Sequence, residues 1–247
     1  MSTPETSIIR INCTVTGPAT DLTSVDANTS MPVLKVTALA TDWSPPQTEN
    51  FIVIFTSKQA VQIFIDHVLL AYPDAVLWTY CTKICAVGEA TALLAQKLLP
   101  NFFFRKEPTV IYPDQAHGLD ALFNLLQSSS AKSTAVIFTA EDGRTKEIIK
   151  KLGCPDHFLF DVIPLYFLSQ VNKEEHILFL DNLFQQKGRF IFCCNSGKIL
   201  SETVSILRSY FSVQEPQQLP KNLFFSVWGA STKETLAKLN LIDRTFL

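Results

Sequence analysis

The sequence predicts an α/β protein of two similar lobes, each a parallel sheet flanked by helices, joined by two chain crossings around a central cleft. Three observations predict it. Short apolar runs alternate with segments of helical periodicity, as buried parallel strands and their crossover helices do. A strand-turn-helix pair occurs twice along the chain. The 247 residues, 47% apolar and 18% charged, suffice for two cores of ordinary size.

Element by element, Ile8–Thr14 and Pro32–Leu39 come first, an N-terminal strand and a segment with no lobe of their own. Phe51–Phe55 is apolar throughout and reads as a strand covered on both faces. Lys58–Leu70 follows as a helix, with Val61, Ile65, Val68 and Leu69 on one face. The strand Ile84–Val87 leads into the helix Thr91–Leu99, and Thr109–Tyr112 into Gly118–Gln127. Ala135–Thr139 leads into Thr145–Leu152, which Gly153 closes after Lys150 and Lys151. Phe158–Leu165, Phe190–Cys194 and Leu223–Trp228 are the remaining strands; Glu174–Gln186, Lys198–Tyr210 and Thr232–Leu239 are the helices after them.

The repeat is specific in its offsets. Phe55-Thr56-Ser57 before a helix recurs as Cys194-Asn195-Ser196, and Val87-Gly88-Glu89-Ala90-Thr91 recurs as Trp228-Gly229-Ala230-Ser231-Thr232. Ser57 and Ser196 lie 139 residues apart, Gly88 and Gly229 141 apart. Two matched pairs at nearly one offset indicate a duplicated unit. The polar, proline-marked stretch Thr41–Gln47 and a second near Tyr166–Asn172 are the expected crossings. Residues 41–169 then form a continuous lobe, and residues 1–40 with 170–247 a discontinuous one.

Composition removes several function classes. A net charge of −2 and a pI near 6.1 provide no global attraction to nucleic acid or to an anionic membrane. No apolar stretch reaches the ~18 residues of a membrane helix, and the N-terminus lacks a secretory pattern, so the expectation is a cytoplasmic protein. The six cysteines form no paired C-x-x-C units; Cys81 and Cys85 have the spacing of one helix face, and Cys193 and Cys194 are adjacent. They read as reduced, buried thiols. His67, His117, His157 and His176 show no metal-ligand spacing, and no P-loop, nucleophile elbow or Gly-x-Gly-x-x-Gly occurs. The expectation is no metal and no cofactor.

Ligands of open parallel sheets bind beyond the carboxyl ends of the strands, where helix N-termini offer free amides. Thr56-Ser57-Lys58, Gly88 to Thr91, Asn195-Ser196-Gly197 and Gly229 to Thr232 occupy such positions and face the expected cleft. Each hydroxyl there is also an ordinary helix cap, and one residue does both when its neighbours' amides still point outward. Four such turns suit a ligand with many carboxylates. Gly143-Arg144 adds a guanidinium able to clamp a carboxylate, or one simply solvated near Glu147. Lys58, Lys198 and Lys233 stand in first helical turns, where a cation opposes the helix dipole unless an anion or solvent compensates.

Ile52 to Val61, Ala86 to Thr91, His117-Gly118-Leu119, Glu141 to Gly153, Ile163-Pro164-Leu165-Tyr166, Phe192 to Gly197 and Gly229 to Thr232 together resemble the ordered motifs of the uroporphyrinogen-III synthase family. The resemblance spans Phe51 to Leu239. Two features depart from it: the family's Thr-Arg-Pro after the first strand is matched only by Thr16-Gly17-Pro18, and the family's further strand and helix have no counterpart before Leu247. Both fall in the discontinuous lobe.

The resemblance implies a cofactor-free monomeric lyase that cyclises hydroxymethylbilane, inverting its last pyrrole ring and losing water. It implies substrate contacts from Thr56, Ser57, Lys58, Gly88, Glu89, Ala90, Thr91, Gly143, Arg144, Asn195, Ser196, Gly197, Gly229, Ala230, Ser231 and Thr232. Tyr166 matches the family's tyrosine on the strand leaving the continuous lobe. A phenol keeps its proton at neutral pH and is able to assist departure of a hydroxyl, which makes Tyr166 the candidate catalytic residue; the alternative role is an aromatic packed at the lobe boundary. The other readings are a non-catalytic bilobal tetrapyrrole-binding protein on the same scaffold and an unrelated two-lobed α/β protein.

Overall fold

Nine strands, seven α-helices, one π-helical segment and two short 3-10 turns are found in a computed structural model that describes residues 7–16, 30–46, 50–73, 78–99, 110–114, 118–126, 133–141, 143–151 and 158–246. The strands are β1 (Ile8–Thr16), β2 (Ser30–Ala38), β3 (Phe51–Phe55), β4 (Cys81–Ala86), β5 (Val110–Ile111), β6 (Ser133–Ala140), β7 (Phe158–Gln170), β8 (Arg189–Cys194) and β9 (Leu223–Val227). The helices are α1 (Lys58–Ile63), α2 (Glu89–Leu98), α3 (Leu119–Leu126), α4 (Arg144–Lys151), α5 (Lys173–Phe184), α6 (Gly197–Phe211) and α7 (Ala230–Lys238). The fold class is the expected mixed α/β one. The expected helix end at Gly153 lies outside the described residues, as do His117 and His157.

The chain divides into two compact units, residues 36–168 and residues 1–35 with 169–247, and passes between them within β2 and within β7. In the continuous unit the strand order is β5-β4-β3-β6-β7, every pair parallel. The first crossovers run from β3 outward to β4 and β5, and the chain then returns to the opposite edge of β3. The gap between the carboxyl ends of β3 and β6 is therefore the topological switch point. In the discontinuous unit the order is β2-β1-β8-β9, again parallel, with its switch point between β1 and β8.

The continuous unit buries both sheet faces, which is why β3 reads as an unbroken apolar run. On one face Ile52, Ile54, Ala135 and Ile137 meet Leu122 and Phe123 of α3 and Ile149 of α4. On the other, Phe55 and Phe138 meet Phe64, and Trp43 sets its ring edge-on to Phe138 at 5.2 Å. Thr41 to Pro46, expected as a crossing, thus packs within this unit through Trp43.

Three local expectations change. Helix α1 is α-helical only to Ile63 and continues as a π-helical segment, Phe64–Leu69, which keeps Phe64, Val68 and Leu69 buried. Strand β7 runs five residues past its expected end, to Gln170, so Tyr166 is a strand residue. Cys81 and Cys85 share a strand, not a helix. With Cys13, Cys193 and Cys194 they are buried free thiols. Burial pushes the Cys81 and Cys85 thiols up to about 12, and burial with the adjacent Cys194 raises that of Cys13. Beyond α7, Thr245 bridges to Phe225, so the last residues add one rung beside β9.

Candidate active site

The expected binding residues fall on the turns after β3, β4, β6, β8 and β9, Tyr166 lies within β7, and the two units repeat one capping pattern. In the continuous unit Ser57 is extended (φ −163°, ψ 164°) and caps α1, its Oγ accepting the Ala60 amide at 3.0 Å. Its counterpart Ser196 (φ −147°, ψ 153°) caps α6, accepting the Ile199 amide at 3.2 Å. The second turn of each unit has a glycine cap without a side-chain bond, Gly88 for α2 and Gly229 for α7. In both, the threonine three residues on is buried: Thr91 is 7% and Thr232 1% exposed.

Both threonine side chains are therefore largely shielded from solvent. What these turns offer is backbone, for a helix start carries amides without intrahelical partners. Gly229 sits at φ +82°, in the region that favours glycine.

A hydroxyl network gathers at the switch point of the continuous unit. Tyr166 Oη lies 2.7 Å from Ser57 Oγ, an approach in which either oxygen is able to donate. Thr56 Oγ1 lies 3.2 Å from the Phe138 carbonyl and 3.1 Å from Thr139 Oγ1, which is 2.8 Å from Thr145 Oγ1. The Glu141 amide donates to the Tyr166 carbonyl at 2.7 Å. The carboxyl ends of β3 and β6, the start of α4 and the middle of β7 are thereby tied by neutral groups. Tyr166 itself is buried, at 4% exposure.

Thr139 and Thr145 were not among the expected residues. The parallel register sets Phe55 beside Phe138, so the next residue of each, Thr56 and Thr139, is a neighbour across the switch point. Gly143 is exposed at φ +70° and its carbonyl accepts the Glu147 amide. Arg144 opens α4, while its side chain lies outside the described residues, as do those of Ala230 and Ser231.

Charge divides the turns. The first turns of α1, α6 and α7 contain no acidic residue, and Lys58, Lys198 and Lys233 there are exposed. Helix α2 begins with Glu89, exposed beside Ala90, which already supplies the negative charge a helix start favours. Asn195 is exposed, and Gly197 half-buried, ahead of α6. A groove of about 370 Å³ between α5 and α6, lined by His176, Ile177, Ser205 and Tyr210 among others, contains none of these residues. Its buried His176 sets Nε2 2.7 Å from the Pro32 carbonyl. Among the described residues no cluster of three metal-ligating side chains occurs, and no helix is long and apolar enough to cross a membrane.

Comparison with known proteins gives one family: residues 30–243 match the one described as Uroporphyrinogen-III synthase HemD. Among solved structures, the chain is similar to the uroporphyrinogen-III synthetase from Helicobacter pylori, at 13% identity over 94% of this chain and 89% of that one, with a TM-score of 0.54. It is also similar to a mutant uroporphyrinogen III synthase from the extremely thermophilic bacterium Thermus thermophilus, at 11% identity over 94% and 90%, with a TM-score of 0.49. A comparison with curated proteins finds no match. At such identities the Helicobacter likeness carries the fold.

Proposed function

The chain belongs to the uroporphyrinogen-III synthase family, and from that premise we propose that it is a working synthase, a cytoplasmic, cofactor-free monomer that closes hydroxymethylbilane to uroporphyrinogen III. The observation that carries the reading is the Tyr166–Ser57 pair, 2.7 Å apart at the head of α1.

The substrate's terminal hydroxyl must leave as water, which requires a proton. Tyr166 donates it from its phenol. Ser57 Oγ, already accepting the Ala60 amide, has its own hydrogen to turn toward the phenolate left behind, and the positive end of α1 favours that charge. The last pyrrole then attacks the freed carbon through its substituted position. The spiro intermediate so formed rearranges with that ring inverted and loses a proton to restore the pyrrole.

The same substrate closes without inversion in water, so the protein's task is to make one trajectory win. Holding a flexible chain is a positioning effect, and rigid neutral donors suit it. In this reading the acidic arms lie on the capped turns Thr56-Ser57-Lys58, Gly143-Arg144, Asn195-Ser196-Gly197 and Gly229-Ala230-Ser231-Thr232. The turn Gly88-Glu89-Ala90-Thr91 contributes amides only, since Glu89 repels a carboxylate.

Supplied with enzymatically generated hydroxymethylbilane, the purified chain is expected to release the type III isomer. Release of the type I isomer alone overturns the reading. The 4% exposure of Tyr166 favours one alternative, a tetrapyrrole-binding protein on the same scaffold in which that ring only packs. Tight tetrapyrrole binding without turnover would single it out.

A further inference from the structure

We propose that Trp228 is a specificity residue of this site, the surface on which one pyrrole ring of the substrate stacks; the proposal rests on the synthase reading above. Trp228 follows β9 directly and is 55% exposed, the most exposed aromatic side chain among the described residues. An indole carries a large apolar face, and leaving it in water at a sheet's carboxyl end forgoes the burial of that face.

Its neighbours make the position a seat for a ring. The parallel register pairs Cys194 with Val227, so Asn195 and Trp228 leave β8 and β9 side by side. The next residue, Gly229, is exposed, and a Cβ built there would meet nothing within 4 Å. Space is therefore open at Gly229, the residue that follows Trp228. Leu200 and Val204 of α6 and Leu236 of α7 are buried, whereas Trp228 is not. The turns on either side carry the exposed cations Lys198 and Lys233 and no acidic residue in the first helical turn. A pyrrole bearing acidic arms matches all three: its ring on the indole face, one arm within reach of the indole N–H, the other toward a lysine.

The test uses the full chain as Trp228→Phe and Trp228→Ala. In the coupled assay Trp228→Ala is expected to raise KM about tenfold with little change in kcat, from the lost stacking, and Trp228→Phe to keep KM within about twofold, since a phenyl face still stacks. Titration with uroporphyrin III is expected to quench wild-type tryptophan emission saturably and to lose that component in Trp228→Phe, since Trp43 and Trp78 pack inside the other unit. If the wild type makes type III isomer while Trp228→Ala keeps both its KM and its porphyrin quenching, Trp228 is not the seat and the synthase reading stands. If the wild type makes only type I isomer, the reading and this residue's role in it fall together.

Discussion

At the scale of single residues, Ser57 holds one job more than its counterpart Ser196. Both cap a helix through Oγ, and only Ser57 also meets a tyrosine hydroxyl. Ser196→Ala is therefore expected to lower stability by about 1 kcal/mol, read as a shift in the urea midpoint. Ser57→Ala loses a cap of the same kind and also the Tyr166 partner, so kcat should fall beyond what its stability loss explains. Tyr166→Phe removes one buried hydroxyl and keeps the ring; it should fold normally and slow ring closure roughly a hundredfold, within the range of general-acid contributions. Unchanged turnover in Tyr166→Phe would remove that phenol from the chemistry.

At the scale of elements, strands such as Phe51–Phe55 and Phe190–Cys194 were legible because burial on both faces leaves an unbroken apolar run, and the helices because their periodicity is clean. Strand β7 was read five residues short because the stretch from Tyr166 was read as a crossing, whereas the strand continues through it to Gln170. The π-helical stretch Phe64–Leu69 leaves no mark on periodicity over so short a segment. The Tyr166–Ser57 contact joins residues 109 apart, and no local pattern announces it.

Two predictions belong to these elements. Phe138, fully buried against Phe55, Phe64 and Trp43, should cost about 3–5 kcal/mol when cut to alanine, measured by denaturant unfolding. The thiols on β4 give a pH signature. Their folded values, about 12, stand above the ordinary 9.0 because burial disfavours thiolate. Their contribution is therefore complete below 9.0 and is lost as pH rises from there toward about 12, where the unfolded chain releases protons the folded one retains. The urea midpoint should fall inside that window relative to neutral pH, and Cys85→Val should lessen the fall.

For the whole molecule, the duplicated capping pattern matters more than any motif. Each unit presents a serine-capped turn and then a glycine-capped one at the carboxyl ends of parallel strands. The repeat was visible in sequence as paired offsets. The half-buried Trp43, in the proline-marked stretch read as a crossing, sets its ring against Phe138 of the continuous unit. The central claim, that these four turns are the substrate's donors, is tested most directly by backbone amide chemical shifts during titration with uroporphyrin III. The account predicts shifts concentrated at Ser57–Ala60, Gly88–Thr91, Ser196–Ile199 and Gly229–Lys233. Shifts confined to the α5–α6 groove, with those turns unmoved, would contradict it.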